Sequence, residues 1–492
     1  MRSRLTGLLR RIAKRSMTPP PAPANPPSTP AAASRWRTDA ASIARHQPAP
    51  LRAPPGHADA NALRLHWILP DAANRSGGGH MTLFRLIRHL EQRGHQQQLW
   101  LRPPWFHATA SAAFETFRAY QPLGDGVSVD FLPDDVSSIS GDAVIATDWW
   151  TVYPAIAVSA VRERFYVVQD LESAFLPIGA EALLAEQTYR LGLKHLCAGR
   201  WLHQLIEQRH GGWSWQWELA CDTTHYYPPA GDNAPPHLST QRRDGGGPRD
   251  QTTSPRIAFY YRAETPRRAV ELGLAAFDLL HARGIAFHVD FFGSPAPAGL
   301  PYAHHDHGVL DPAALGALYR AADLGLVFSA TNYSLVPLEM MACGLAVAEL
   351  QGDSTDAAFP PNSILRLPPW PPAMAEQLAA ALSAPDTLAA QRDTAHAFVS
   401  ALSWTTTGQR VEQGLLAGLG ITPGRHADSA NKNHDTNSRG KQHAGGESTD
   451  EAETTGGKRT ADSTGRQNGV GQEHTAGKQT GETRRAETGA ER

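Results

Sequence analysis

The chain repeats one pattern in each of its halves: a short apolar run, a stretch with apolar residues every three or four positions, then another short apolar run. In the first half the apolar runs fall at 63–69 (LRLHWIL), 98–101, 127–132, 143–147, 165–168 and 195–198. Leu83, Phe84, Ile87 and Leu90 share one helical face between the first two, and further helices are expected at 180–191 and 201–209. The second half has runs at 257–260, 287–292, 324–328 and 345–350, with helical stretches at 266–282, 312–322, 336–343 and 373–382. Strand, helix, strand repeated in this way predicts parallel sheets covered on both faces, an α/β fold. Between the halves, 229–255 contains GDNAPPH and RRDGGGPRD, the composition of a linker. Two α/β domains, 61–228 and 256–421, are therefore expected to face one another across a cleft, with 404–419 as a closing helix.

The ends differ from this body. Residues 1–60 are rich in Pro, Ala, Ser and Arg, and 422–492 are polar with Val470 as the one branched aliphatic residue after 425. Neither buries enough apolar surface to offset chain entropy, so both are expected to be disordered tails. Within 1–17, Leu5, Leu8, Leu9 and Ile12 recur at helical spacing among six basic residues, and no acidic residue precedes Asp39. Three readings stay open there: a basic helix in peripheral contact with an anionic membrane, a transit segment, or a basic tail.

A formal charge of −2 provides no basic field, which argues against nucleic acid as a partner. Cys197, Cys221 and Cys343 lie far apart without a CxxC spacing, as expected of reduced, buried thiols in a cytoplasmic setting. No apolar run approaches the ~20 residues of a membrane span.

The segment 331–344 reads TNYSLVPLEMMACG. A strand ends in a small polar turn, a helix begins near Ser334 with Pro337 in its first turn, and Gly344 stops it. Glu339 is the one carboxylate on this otherwise apolar helix. It either accepts hydrogen bonds from ligand hydroxyls or is satisfied by the amides of its own helix start. Gly77, Gly78 and Gly79 open a helix directly after the first strand, where backbone amides can approach a phosphate or a sugar. Adjacent glycines do not make a GxGxxG fingerprint. Asp148, Gln169, Asp170 and Glu172 follow strand ends and face the expected cleft, either to bind ligand hydroxyls or to cap the next turn. Asp134 and Asp135 read as a turn, and Trp213, Trp215 and Trp217 alternate along a strand toward core or interdomain packing.

The segment 331–344 resembles the donor motif of family-4 retaining glycosyltransferases, whose GT-B fold pairs two Rossmann-like domains. In that motif two glutamates flank seven residues. Glu339 matches the second, which the resemblance assigns to the nucleotide ribose, whereas Thr331 stands at the first and Asn332 and Ser334 replace glycines. GGGHMTLFRLIRHLEQRGH is similar to the first-domain glycine loop and helix. HWILPD, TDWW, YVVQDLESAFLPIGA, AEQTYRLG and the WL pair at Trp201 resemble the first domain of WsaF-type rhamnosyltransferases, and the matches together cover most of 61–420. YYRAETPRRA resembles the family's Gly-Arg-x-x-x-x-Lys diphosphate clamp, with Arg262 as the arginine and Arg267 or Arg268 in place of the lysine.

The resemblance implies a retaining, metal-independent transferase with no cofactor, moving a 6-deoxyhexose, foremost L-rhamnose, from a dTDP-sugar to a glycan or lipid-linked glycan acceptor. Arg262, Arg267, Arg268 and Asp170 would serve catalysis. Glu339, Ser334, Leu335, Thr331 and Gly308 would bind the donor, and the loop 304–307 (HHDH) would lie near the base without holding a metal. Gly77, Gly78, Gly79, Asp148, Gln169 and Glu172 would line the acceptor side. A UDP- or GDP-hexose donor and a non-catalytic sugar-binding protein are the alternatives.

Overall fold

The computed structural model of the protein describes residues 43–71, 78–229 and 254–421. The first half runs β1 (Arg64–Pro70), α1 (Gly78–Gln92), β2 (Gln96–Arg102), α2 (Ala110–Arg118), β3 (Val127–Phe131), β4 (Ser140–Ala146), α3 (Trp149–Ala157), β5 (Ala160–Val168), α4 (Ala180–Thr188), β6 (Lys194–Ala198), α5 (Arg200–Leu205) and β7 (Ser214–Trp217). These strands form a seven-stranded sheet in the order β3-β2-β1-β4-β5-β6-β7, and each pair is parallel. The central β1 aligns Trp67 between Leu99 of β2 and Ile145 of β4, all fully buried. Parallel strands covered on both faces become nearly continuous apolar runs, as Val144, Ile145 and Ala146 show. The buried indole of Trp67 keeps a partner by donating to Gln97 Oε1 at 3.0 Å.

The second half runs β8 (Arg256–Tyr261), α6 (Val270–Ala282), β9 (His288–Gly293), β10 (Ala303–Asp306), α7 (Pro312–Ala321), β11 (Leu324–Leu326), α8 (Leu335–Ala342), β12 (Ala346–Leu350), α9 (Asp353–Ala358), β13 (Leu365–Leu367), α10 (Pro371–Leu382), α11 (Pro385–Ser400) and α12 (Trp404–Gly418). Its parallel sheet has the order β10-β9-β8-β11-β12-β13. In both halves the strand order reverses beside the first strand, and the crevice outside the carboxyl ends of such strands is where ligands bind.

The expected helix 404–419 closes the molecule by returning to the first half. Its glycines permit close approach: a Cβ on Gly414 would lie 2.6 Å from the Trp215 ring and one on Gly418 would lie 2.4 Å from Phe165. Trp215 donates to Arg410 O at 2.8 Å, so the strand carrying Trp215 and Trp217 packs against the closing helix and the core, as expected. Glu412 reaches Arg93 Nε at 3.1 Å and His95 Nε2 at 3.2 Å on the first half. Burial works to raise the Glu412 carboxyl, but hydrogen bonding from the histidines and the Arg93 charge outweigh it and hold it well below the usual range.

Several expectations need correction. The segment 43–60, assigned to the tail, is in part an extended strap on the first half: Ala49 N donates to Ile156 O and Arg52 N to Ser159 O. A Pro/Ala-rich strap needs no core of its own when a domain supplies the acceptors. The tails 1–42 and 422–492 and most of the linker lie outside the described residues. Residues 303–306, read as loop, form the edge strand β10, whose uniformly exposed side chains give no strand signature. The expected helix 266–282 is broken: Pro266–Arg268 is a 3₁₀ turn and Ala269 has φ +41°, so α6 begins at Val270. The stretch 201–209 is α5 followed by a π turn at Ile206–His210. The three cysteines are buried and free.

Candidate active site

Helix α8 begins at the carboxyl end of the second sheet. Ser334 takes the N-cap position with extended backbone, yet its side chain makes no cap and its hydroxyl is buried without a partner. That leaves the positive end of α8 open to an outside group. Glu339 lies one turn further along. Burial pushes its carboxyl up to about 7, against the opposing pull of Arg85 and with Asp222 adding to the rise. Arg85 is engaged with Asp222 at 2.6 Å, and no described residue donates a hydrogen bond to Glu339. Of the two sequence readings, satisfaction by its own helix amides is absent. The carboxylate sits where α1, α8 and the segment leaving β7 meet, close enough to raise Cys221, Tyr226 and Tyr319 as well.

The glycine loop of the first half faces this helix. Gly77 lies outside the described residues. A Cβ on Gly78 would meet Leu335 Cδ1 at 3.8 Å, and one on Gly79 would meet the Gln169 amide at 3.7 Å. The opening of α1 thus touches both the start of α8 and the end of β5.

The three arginines separate. Arg262 follows β8, remains half-buried and pairs with Glu264 at 2.8 Å; burial opposes its protonated form, but Tyr260 and Glu264 outweigh burial and raise it. Arg267 stacks 4.1 Å over Phe175, has its Nε buried without a hydrogen-bond partner, and lies 3.5 Å from Asp170. Arg268 turns into the second half, where it donates to Phe328 O at 3.3 Å. The left-handed Ala269 ends the turn that splays the two, which makes Arg267 the cleft-facing choice at the ambiguous position. Gly308, at φ +61°, closes the loop after β10; its N–H donates to Asp306 and its carbonyl accepts from Gly293.

Asp170 joins the halves. One oxygen accepts from Asn332 N at 2.8 Å and the other from Thr331 Oγ1 at 3.1 Å; burial raises its carboxyl against those bonds. Asp148 is the N-cap of α3 in a capping box with Thr151, and Glu172 accepts from Trp149 N at 2.6 Å. Burial pushes both carboxyls up. Beside them His80, held low by burial, keeps a buried Nε2 without a partner.

Gly78, Gly79, Gln169, Asp170, Arg267, Thr331 and Leu335 therefore form one contact set across the halves, with Glu339 behind it. Arg262 acts electrostatically on Arg267, Gly308 bonds Gly293 beside Arg262, and Arg268 turns to Phe328 instead of joining the set. Sequence reasoning missed Arg85 and Asp222 as neighbours of Glu339. It also missed Glu349, whose carboxyl is pushed up to about 8 by burial while Ser329 and Leu350 N–H groups hold one oxygen and the other has no partner. An acidic residue inside the apolar run 345–350 was the available signal for Glu349.

Residues 255–379 match the family model described as WsaF, C-terminal domain. The chain is 32% identical over 291 residues to the O-antigen biosynthesis protein RfbC of Myxococcus xanthus, an alignment that takes in 58% of this chain and 21% of that one. It spans about a fifth of that relative's length. HepE of Anabaena, solved in complex with UDP, aligns with a TM-score of 0.54 at 14% identity over 72% of this chain and 99% of its own. A glycosyltransferase of Rickettsia africae aligns with 0.53 at 12% identity over 74% and 100%. The fold is thus GT-B, with two Rossmann-like domains, and the chain resembles WsaF-type family-4 proteins.

Proposed function

We propose that this protein is a glycosyltransferase of surface-glycan assembly, transferring a 6-deoxyhexose, foremost L-rhamnose from dTDP-β-L-rhamnose, with retention and without a metal. The observation that carries the reading is Glu339: a partly buried carboxylate with no hydrogen-bond donor among the described residues, on the helix whose N-terminal Ser334 makes no side-chain cap. A ribose hydroxyl satisfies it, and charge-assisted hydrogen bonds of that kind are the strong ones.

In this reading the diphosphate lies against the start of α8, within reach of Arg262 and Arg267. Their cations stabilise the charge that grows on the leaving group as the glycosidic bond breaks. Arg268 supports the turn from below. The Gly78–Gly79 edge and Gln169 close the first-half side, where Asp148 and Glu172 offer carboxyls to acceptor hydroxyls. The match to the WsaF domain and the similarity to an O-antigen biosynthesis protein support a bacterial surface polysaccharide as the context, with a glycan or lipid-linked glycan as acceptor. Residues 1–17 would add peripheral contact with an anionic membrane.

Donor hydrolysis across dTDP-, UDP- and GDP-sugars, each with and without EDTA, tests the reading. Preference for dTDP-rhamnose unaffected by chelation is expected. A UDP- or GDP-hexose preference would change the donor, strict divalent dependence would overturn the metal-free mechanism, and no turnover of any donor would leave a sugar-binding protein.

A further inference from the structure

Two of the residues that depart from the family motif, Thr331 and Asn332, hydrogen-bond across to the other half. Asn332 is 1% exposed and every polar group it owns is used. Its N–H donates to Asp170, its carbonyl accepts from Ser329 Oγ at 2.6 Å, and its side-chain oxygen accepts from Ser354 Oγ at 3.1 Å. The side-chain amide donates to Gln169 O and to Ala198 O, each at 2.9 Å. Those carbonyls lie at the carboxyl ends of β5 and β6, and one side chain binds both. Next to it Tyr333 donates to Glu218 at 3.2 Å and lies flush against Gly199, where a Cβ would sit 2.9 Å from the ring. Gly199 has φ +90°, so a larger residue is excluded there on two grounds.

We propose that Asn332 is a positioning residue that locks the donor-side loop to the acceptor-side half, fixing the register of the cleft before substrate arrives; this rests on the glycosyltransferase reading. Two residues beyond it, α8 begins with Leu335 against Gly78. Holding Asn332 therefore holds the open end of α8 in place opposite the glycine loop. The geometry needs a short side chain with two N–H donors and one acceptor. Glycine offers none of these. Leucine leaves two buried carbonyls unpaired, and aspartate adds a negative charge beside Asp170.

A lock and a merely structural residue differ in what their loss changes. Nucleotide contacts belong to the second half, so dTDP affinity of Asn332→Ala should stay within about twofold of wild type. Turnover should fall by about 100-fold, because reacting groups displaced by ~1 Å lose that much. Small-angle scattering of the free variant should show a larger radius of gyration, restored in part by dTDP-sugar. Tyr333→Phe, which removes the Glu218 bond and keeps the ring, should give a smaller loss with the same split. If Asn332→Ala does not fold, the Tyr333 variant carries the test. Unchanged turnover with unchanged scattering, or equal losses of nucleotide affinity and turnover, would overturn the lock. A wild-type protein inactive on every sugar nucleotide would instead sink the transferase reading and leave the scattering comparison standing.

Discussion

Replacing Glu339 by Gln separates binding from stability in opposite directions. The carboxyl is raised from 4.5 to about 7 by burial. At pH 4 it is protonated in both folded and unfolded chains and contributes nothing. As pH rises past 4.5 the unfolded chain loses the proton first, and native stability falls until the folded carboxyl ionises near 7. Above that pH the accumulated cost is roughly 3 kcal/mol, at 1.36 kcal/mol per pKa unit. Glutamine keeps the shape and carries no charge, so it should raise the melting temperature at pH 8 by roughly 6 °C, at ~2 °C per kcal/mol for a folded region of this size. At pH 4.5 the two proteins should melt together. Affinity for dTDP should move the other way, weakening about ten- to a hundredfold at pH 8 with loss of one charge-assisted bond. Differential scanning calorimetry from pH 4.5 to 8, with titration calorimetry of dTDP, measures both. A pH-independent melting difference would refute the buried, ionising carboxylate. Equal affinity for dTDP would refute its contact with the nucleotide.

Arg262→Ala should lower turnover about 100-fold while leaving the melting temperature unchanged, since the residue is half-exposed and pairs only locally; full activity at saturating donor would remove it from the clamp. Glu412→Gln should destabilise at pH 7 by about 3 kcal/mol, the scale for breaking a buried charge cluster. Because the Glu412 carboxyl is depressed, that stability exists above its unfolded pKa and is lost as pH falls, so the deficit should shrink below about pH 4; a constant deficit would contradict the ion cluster. A chain beginning at residue 43 should keep its melting temperature and lose binding to anionic vesicles, and equal vesicle binding by both chains would discard the surface-helix reading of 1–17.

Periodicity carried most of the fold because buried parallel strands and amphipathic helices leave strong patterns. It failed where burial is one-sided or partial. The edge strand Ala303–Asp306 is exposed along its length, and α11 has a weak apolar face. The break at Ala269 had no glycine or proline at the left-handed position to announce it. At the site, Glu339 and the glycine loop were legible because each is unusual for its local context. The partners of Asp170 were not, since Asn332 lies 162 residues away and only the fold brings them together. The choice between Arg267 and Arg268 likewise depends on a single backbone turn that residue types leave undetermined.

The return of α12 to the first half means that the last described helix reports on the first sheet even though it follows the second sheet in the chain. A probe on exposed Gln413 rides with the first sheet, whereas one on exposed Gln377 of α10 rides with the second. All three native thiols are buried, so cysteines introduced at these two positions can be labelled with little competition. The distance between the two dyes becomes a direct gauge of how far the halves swing, readable in single molecules with and without added dTDP.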